Sequence, residues 1–111
     1  MESVSFKTTG EVKTFCEALG LAQHWSIMQL RLPSNMAAEG WEALSSVAGR
    51  GLVDNVCVDE LGLGAASDTQ ICDLWKITVK SDGFWWCQRN GVIANRREGD
   101  AGLQRLLATR R

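Results

Sequence analysis

The sequence predicts an α+β fold, and three observations support that prediction. The chain has 111 residues, 45% of them hydrophobic and 23% charged, so residues 1–111 are expected to form a single globular domain. A helical stripe of apolar residues occurs early in the chain, and hairpin signals occur in its last third. We therefore expect an antiparallel sheet of about five to six strands with three helices packed mainly on one face, ending in a three-stranded meander closed by a helix.

The first predicted elements are a short strand over residues 3–8 and a helix that begins after it. Thr9 offers a hydroxyl group to the free amides of the first helical turn. The helix itself is predicted by apolar residues at positions i, i+3, i+4 and i+7, which are Val12, Phe15, Cys16 and Leu19.

The middle of the chain repeats this strand–helix–strand pattern. Residues 24–32 favour a strand, because Pro33 disfavours a helical conformation at the residue before it. Ser34 is the expected cap of a second helix that ends at Gly49. Residues 52–58 predict a further strand, and the glycine-rich, acidic residues 59–70 predict a loop.

The last third predicts the meander. Residues 71–80 alternate between two faces, as in a strand, and Ser81-Asp82-Gly83 fits a three-residue hairpin loop. Residues 84–89 form the next predicted strand. Asn90-Gly91 is the strongest two-residue hairpin signal. Residues 92–97 form the third strand, and Asp100 caps the last helix.

These turns set a register that separates two sheet faces. Trp85 is expected to point inward, in a set with Ile77, Val79, Cys87 and Ala94. The opposite face is expected to mix aromatic, cationic and polar side chains, namely Lys76, Thr78, Lys80, Phe84, Trp86, Gln88, Ile93, Asn95 and Arg97. A slip of one residue would exchange Trp85 and Trp86 between the faces.

Several classes of function have no support in the sequence. His24 is the only histidine and has no obvious catalytic partner. The closest cysteines are 15 residues apart, whereas structural zinc sites use closely paired ligands. No apolar run is long enough for a transmembrane helix. We expect no enzymatic activity, no cofactor, no metal and no membrane association. All four cysteines are expected to be reduced and mostly buried, as in a cytoplasmic protein.

Three hypotheses for function remain. The first is a small cytoplasmic interaction module that self-associates, with a homodimer favoured, through Phe84, Trp86, Ile93 and Trp25. The second is single-stranded nucleic-acid binding, in which Phe84 and Trp86 stack on bases while cations hold phosphates. Those cations are Lys76, Lys80, Arg96 and Arg97. The pI of 5.8 is low for such a binder. The third is a cavity lined by some of the five tryptophans, for a small apolar ligand.

Overall fold

Five strands and a layer of helices form the part of the chain that the computed structural model describes, residues 2–78 and 83–109. The strands are β1 (Glu2–Ser5), β2 (Trp25–Arg31), β3 (Gly51–Cys57), β4 (Phe84–Cys87) and β5 (Gly91–Asn95). The helices are α1 (Thr9–Leu19), α2 (Ala38–Ala48), α3 (Glu60–Leu63), α4 (Asp68–Lys76) and α5 (Asp100–Thr109). A 3-10 turn at Arg96–Glu98 precedes α5.

The sheet is mixed, with its strands in the order of the chain. Neighbouring strands from β1 to β4 are parallel, and β5 is antiparallel to β4. The α+β class is confirmed, but the predicted antiparallel sheet, its meander and the number of three helices are wrong, because the described residues contain five α-helices and four parallel strands. Right-handed crossovers that all step in one direction place their helices on one face of the sheet. Accordingly α1 packs on α2, α2 on α4, and α4 on α5. No helix of the described residues is long and apolar enough to cross a membrane.

The prediction of a strand over residues 71–80 is wrong. Residues 68–76 form helix α4 and not a strand. The Ser67 hydroxyl accepts from the amide of Gln70, and the Gln70 side chain accepts from the amide of Ser67, which is a complete capping box. The buried residues Ile71, Leu74 and Trp75 also follow helical spacing. With a helix here, β3 and β4 are joined by a crossover and must run parallel.

The hairpin between β4 and β5 was predicted, but its turn differs. Cys87 pairs with Gly91, which leaves residues 88–90 as a three-residue loop. Gly91 has a φ of 77°, and Asn90 does not have a positive φ. This pattern is typical of a loop that ends in a left-handed glycine, not of a two-residue Asn-Gly turn. The preceding loop at residues 81–83 cannot be compared, because residues 79–82 lie outside the described residues.

The three predicted helix caps are displaced, and Asp100 is the first residue of α5, not the residue before it. The cap of α1 is Thr8, because Glu11 stands three residues later and completes a capping box with it. The Thr9 hydroxyl instead accepts from the amide of Ala37, 3.0 Å away, at the start of α2. Ala37 caps α2 without a side-chain bond, so Ser34 is not its cap. Thr9 therefore ties together the first turns of the two adjacent helices.

A single row of side chains across the sheet forms the centre of the core. Val4, Leu30, Val56, Trp85 and Ala94 are partners on successive strands. All but the half-buried Val4 are fully buried beneath the helices. The predicted inward direction of Trp85 is confirmed. Its indole nitrogen donates to the Thr78 hydroxyl at 3.0 Å, and that hydroxyl donates to the Leu74 carbonyl.

Replacing Trp85 with alanine should lower the free energy of unfolding by about 3–5 kcal/mol, as large core truncations do. It removes a fully buried indole and leaves the Thr78 hydroxyl without its donor. Urea denaturation followed by circular dichroism measures the change. Trp86→Ala is the matched control, because Trp86 is half-buried on the other face. An equal or larger loss for Trp86→Ala in a monomeric sample would contradict the register.

Cys16 gives the fold a dependence on alkaline pH. Burial in α1 raises the pKa of its thiol from 9.0 to about 11. The folded state therefore keeps the thiol neutral, whereas the unfolded chain ionises above pH 9. Between pH 9 and about 11, we expect wild-type protein to lose up to about 2–3 kcal/mol of unfolding free energy more than Cys16→Ala. Denaturant titrations of both proteins at several pH values test this; parallel pH profiles would contradict it.

Candidate functional site

The sheet face opposite the helices, called the open face below, carries two rows of side chains in register across all five strands. The first row is Ser3, Gln29, Asn55, Phe84 and Asn95. The second row is Ser5, Arg31, Cys57, Trp86 and Val92. Apart from buried Cys57, these residues are exposed or half-buried. Within the described ranges, no helix covers them.

The open face combines exposed apolar side chains with polar ones. Phe84, Trp86 and Val92 lie on β4 and β5, with Val92 60% exposed. On β2 and β3, Met28 and Leu52 are also about half exposed. Between them, Asn55 accepts a hydrogen bond from the amide of Phe84 at 3.4 Å and so closes the start of β4 against β3. The arrangement offers apolar contact area together with hydrogen-bonding groups.

Arg31 is the only cation in the two rows of the open face. Its guanidinium carbon lies 5.2 Å from the ring centroid of Trp86, which is a cation–π contact. To reach Trp86, the side chain passes from β2 across β3. No ion pair of Arg31 is found within residues 2–78 and 83–109. The guanidinium therefore keeps donors that a partner could use.

Cys57 lies under this contact. Burial raises the pKa of its thiol, and hydrogen bonding to Arg31 and the amide of Gln88 opposes that shift. Cys57 is 7% exposed, so its neighbours in the row, Arg31 and Trp86, restrict access to the thiol. All four cysteines are free, and Cys16, Cys57 and Cys87 are buried while Cys72 is half-buried. The prediction that the cysteines are mostly buried is confirmed.

The residues predicted for the interaction surface are only partly brought together. Phe84 and Trp86 lie side by side in the two rows, and Ile93 is half-buried and packs against the core. Trp25 is buried on the helix side, because the β1–β2 register shifts between Glu2 and Ser3. Trp25 and Ile27 are buried while Gln29 and Arg31 are not, so the direction of the side chains changes within β2.

The three described cations among those predicted for nucleic-acid binding, Lys76, Arg96 and Arg97, do not lie in the two rows with Phe84 and Trp86. Lys76 lies at the end of α4 in a cleft with Ser45 and Asp73. Arg96 donates to the Thr78 carbonyl at 3.0 Å and covers the Trp75 ring. Arg97 is exposed in the 3-10 turn beyond β5. Lys80 lies outside the described residues. The predicted position of Lys76 on the sheet is wrong because residues 68–76 form a helix.

Arg31, Gln29 and Asn55 were not among the predicted site residues. A strand pattern indicates that Gln29 and Arg31 share a face, but it does not show that β2 lies two strands from β4. Arg31 comes near Trp86 because β2, β3 and β4 are parallel neighbours in the sheet. The prediction of a strand over residues 71–80 gave a different strand order, in which this contact is not expected. Among the described residues, no cluster of histidine, cysteine or carboxylate side chains could hold a metal ion.

Comparison with known proteins adds no family to this description. No protein-family model matches the chain, and neither the curated proteins nor the solved structures include one similar to it.

Thiol labelling should separate the four cysteines by burial. At pH 8, the half-buried Cys72 should react with a disulfide reagent first, and the three buried thiols should react only when the protein opens or unfolds. The absorbance of the released thiolate follows the reaction in time. In Cys72→Ser the fast phase should vanish; a fast phase that remained would contradict the burial of the other thiols.

Proposed function

We propose that this chain is a non-enzymatic interaction module that self-associates through the open face. The observation that carries this proposal is the uncovered side of a sheet with four parallel strands. Parallel strands occur almost always in sheets that are covered on both faces. Here the described helices cover one face, so the other face is expected to be covered by a second molecule.

The side chains of the open face suit a protein interface. Aromatic residues and arginine are enriched at the centres of interfaces, where they contribute most of the binding energy. Trp86 and Phe84 lie next to each other on the open face, with Arg31 stacked on Trp86. The Arg31 guanidinium already lies over the Trp86 ring, which reduces the cost of burying it further.

A second copy of the chain is the partner that this face fits best. Consider a two-fold axis between two facing sheets and parallel to β3. It places β2 of one copy over β4 of the other, within the same row of side chains. The backbone position of Arg31 in each copy then lies over that of Trp86 in the second copy, and the two Arg31–Trp86 contacts lie on opposite sides of the axis. The two rows carry no carboxylate that could pair with Arg31. The proposed dimer therefore packs through apolar and hydrogen-bonding side chains, and the same patch meets its own copy, as a two-fold interface requires.

The size of the open face predicts a weak dimer. Five strands, spaced about 4.8 Å apart and up to seven residues long, give a face of roughly 24 by 23 Å. Two such faces bury about 1,100 Å², slightly less than the roughly 1,200–2,000 Å² of a stable interface. We therefore expect dimers at micromolar or higher concentration and monomers on dilution.

Charge placed on the open face should dissociate this dimer. Trp86→Lys and Val92→Lys each bury an unpaired ammonium group in the interface, and Val92 is exposed enough to leave the monomer intact. Light scattering over a concentration series should show monomers for both variants, at low and at high salt, because the lost contact is apolar. Leu61→Lys is the control, because Leu61 is 74% exposed on α3, away from the open face.

Two results would overturn the proposal. One is a wild-type protein that stays monomeric at the highest soluble concentration. The other is a dimer that survives both open-face substitutions or dissociates equally with Leu61→Lys. A titration with a mixed-sequence single-stranded oligonucleotide separates the alternative function. Salt-dependent binding that Arg31→Gln weakens would indicate nucleic-acid recognition in place of self-association.

A further inference from the structure

A second candidate site lies at the other end of the strands. A cavity of about 340 Å³ is formed by residues 24–26 at the start of β2 and residues 49–52 at the turn from α2 into β3. Arg31 and Cys57 stand at the carboxyl ends of these same strands, so the cavity is separate from the cluster around Trp86. Its volume is near the lower end of the roughly 300–1,000 Å³ of ligand pockets, which suits a compound of one or two rings.

Trp25 forms a fixed apolar wall of the cavity. Its indole nitrogen donates to the Val47 carbonyl at 2.9 Å. The six-membered part of the indole lies against Gly51, where a Cβ atom would come within 2.1 Å of the ring. Any larger residue at position 51 would push the indole out of place. Gly51 and the hydrogen bond to Val47 therefore hold the wall in one orientation before a ligand arrives.

Arg50 supplies a cation at the rim in a fixed position. Its Nη1 atom donates to the carbonyls of Gly20 and Ala22, at 3.4 and 3.2 Å. These carbonyls follow the end of α1, so the guanidinium group is fastened to the protein by one of its nitrogens. In residues 2–78 and 83–109, no carboxylate pairs with Arg50. Its Nε and Nη2 donors are thus available, and an arginine held this way loses little freedom on binding.

The rest of the lining adds donors and no negative charge. His24 and Ser26 are both exposed beside Arg50, and they bring ring N–H and hydroxyl groups. Leu52 closes the apolar side and is 50% exposed. The lining contains no aspartate or glutamate. A guanidinium group with free paired donors matches the two oxygens of a carboxylate, and an indole wall matches a flat ring.

We propose that this cavity binds a small aromatic carboxylate, with the carboxylate on Arg50 and the ring against Trp25 and Leu52. The proposal does not depend on self-association, since the cavity lining contains no residue of the two rows of the open face. Leu52, which is also exposed on that face, is the one residue that both proposals use. It assigns Arg50 a role beyond the fastening of α1. It also gives a reason for the pairing of Trp25 with Gly51 at the start of two adjacent strands.

The test uses 2-naphthoate as the probe and naphthalene-2-carboxamide as its neutral counterpart. Two-dimensional ¹H–¹⁵N NMR spectra should show saturable shifts for the amides of residues 49–52 and for the Trp25 indole N–H when 2-naphthoate is added. The carboxamide should bind about tenfold or more weakly, because it lacks the charge-assisted bonds to Arg50. Arg50→Gln should weaken 2-naphthoate binding by a similar factor. Arg97→Gln, in the exposed 3-10 turn, should not.

A pair of variants at the rim keeps the test valid if Arg50→Gln harms the fold. Leu52→Glu places a carboxylate beside the cavity and should abolish 2-naphthoate binding, whereas Leu52→Gln should retain it. Equal binding by these two variants, equal binding of the two probes, or shifts confined to other residues would each overturn the proposal. Repeating the titration in Val92→Lys separates the two proposals. Unchanged binding there supports the cavity whether or not the open face associates, whereas lost binding would overturn its independence.

Discussion

The handedness of the strand–helix–strand connections is the constraint on which the rest of this structure depends. The strands follow one another across the sheet in chain order, so each right-handed crossover steps in the same direction and places its helix on the same side. One consequence is a helix layer in which each long helix packs on the next. The other is the open face, where two rows of side chains are left on the uncovered side. Core and candidate surface therefore have the same origin.

Within the core, three tryptophans form hydrogen bonds that connect separate segments of the chain. Trp41 donates its indole N–H to the Gly62 carbonyl at 2.9 Å, Trp25 donates to Val47, and Trp85 donates to Thr78. Each bond joins two segments of the chain, and it satisfies an indole N–H donor that would be costly to bury unpaired. This explains why so many tryptophans fit a small chain without lining a common cavity. The other two tryptophans each have an arginine over the ring: Arg96 lies over the buried Trp75, and Arg31 lies over Trp86 on the open face.

The sequence predicted the elements that depend on interactions between residues close together in the chain, and it failed where distant residues decide the structure. Helices α1, α2 and α5 and the β4–β5 hairpin depend on local periodicity and turn residues, and they were predicted. The sequence of residues 71–80 fits both the period of two of a strand and the spacing of a helix. The capping box of Ser67 and Gln70 decides between them, because it starts a helix at Asp68. The correction from strand to helix changed the direction of β3 relative to β4. It also moved Lys76 from the sheet to a helix.

The candidate site was harder to predict, for the same reason. Phe84 and Trp86 were identified because their own hairpin sets their direction, whereas Arg31 reaches Trp86 only through a strand order that no local pattern contains. The two arginines of the candidate sites then differ by what holds them. The Arg31 guanidinium lies over an aromatic ring, in the middle of a broad face that a partner surface could cover. Arg50 is held at one nitrogen by two carbonyls beside a small cavity, which leaves its remaining donors for the small anion proposed above. The same side chain is thus suited to two kinds of recognition at opposite ends of the parallel strands.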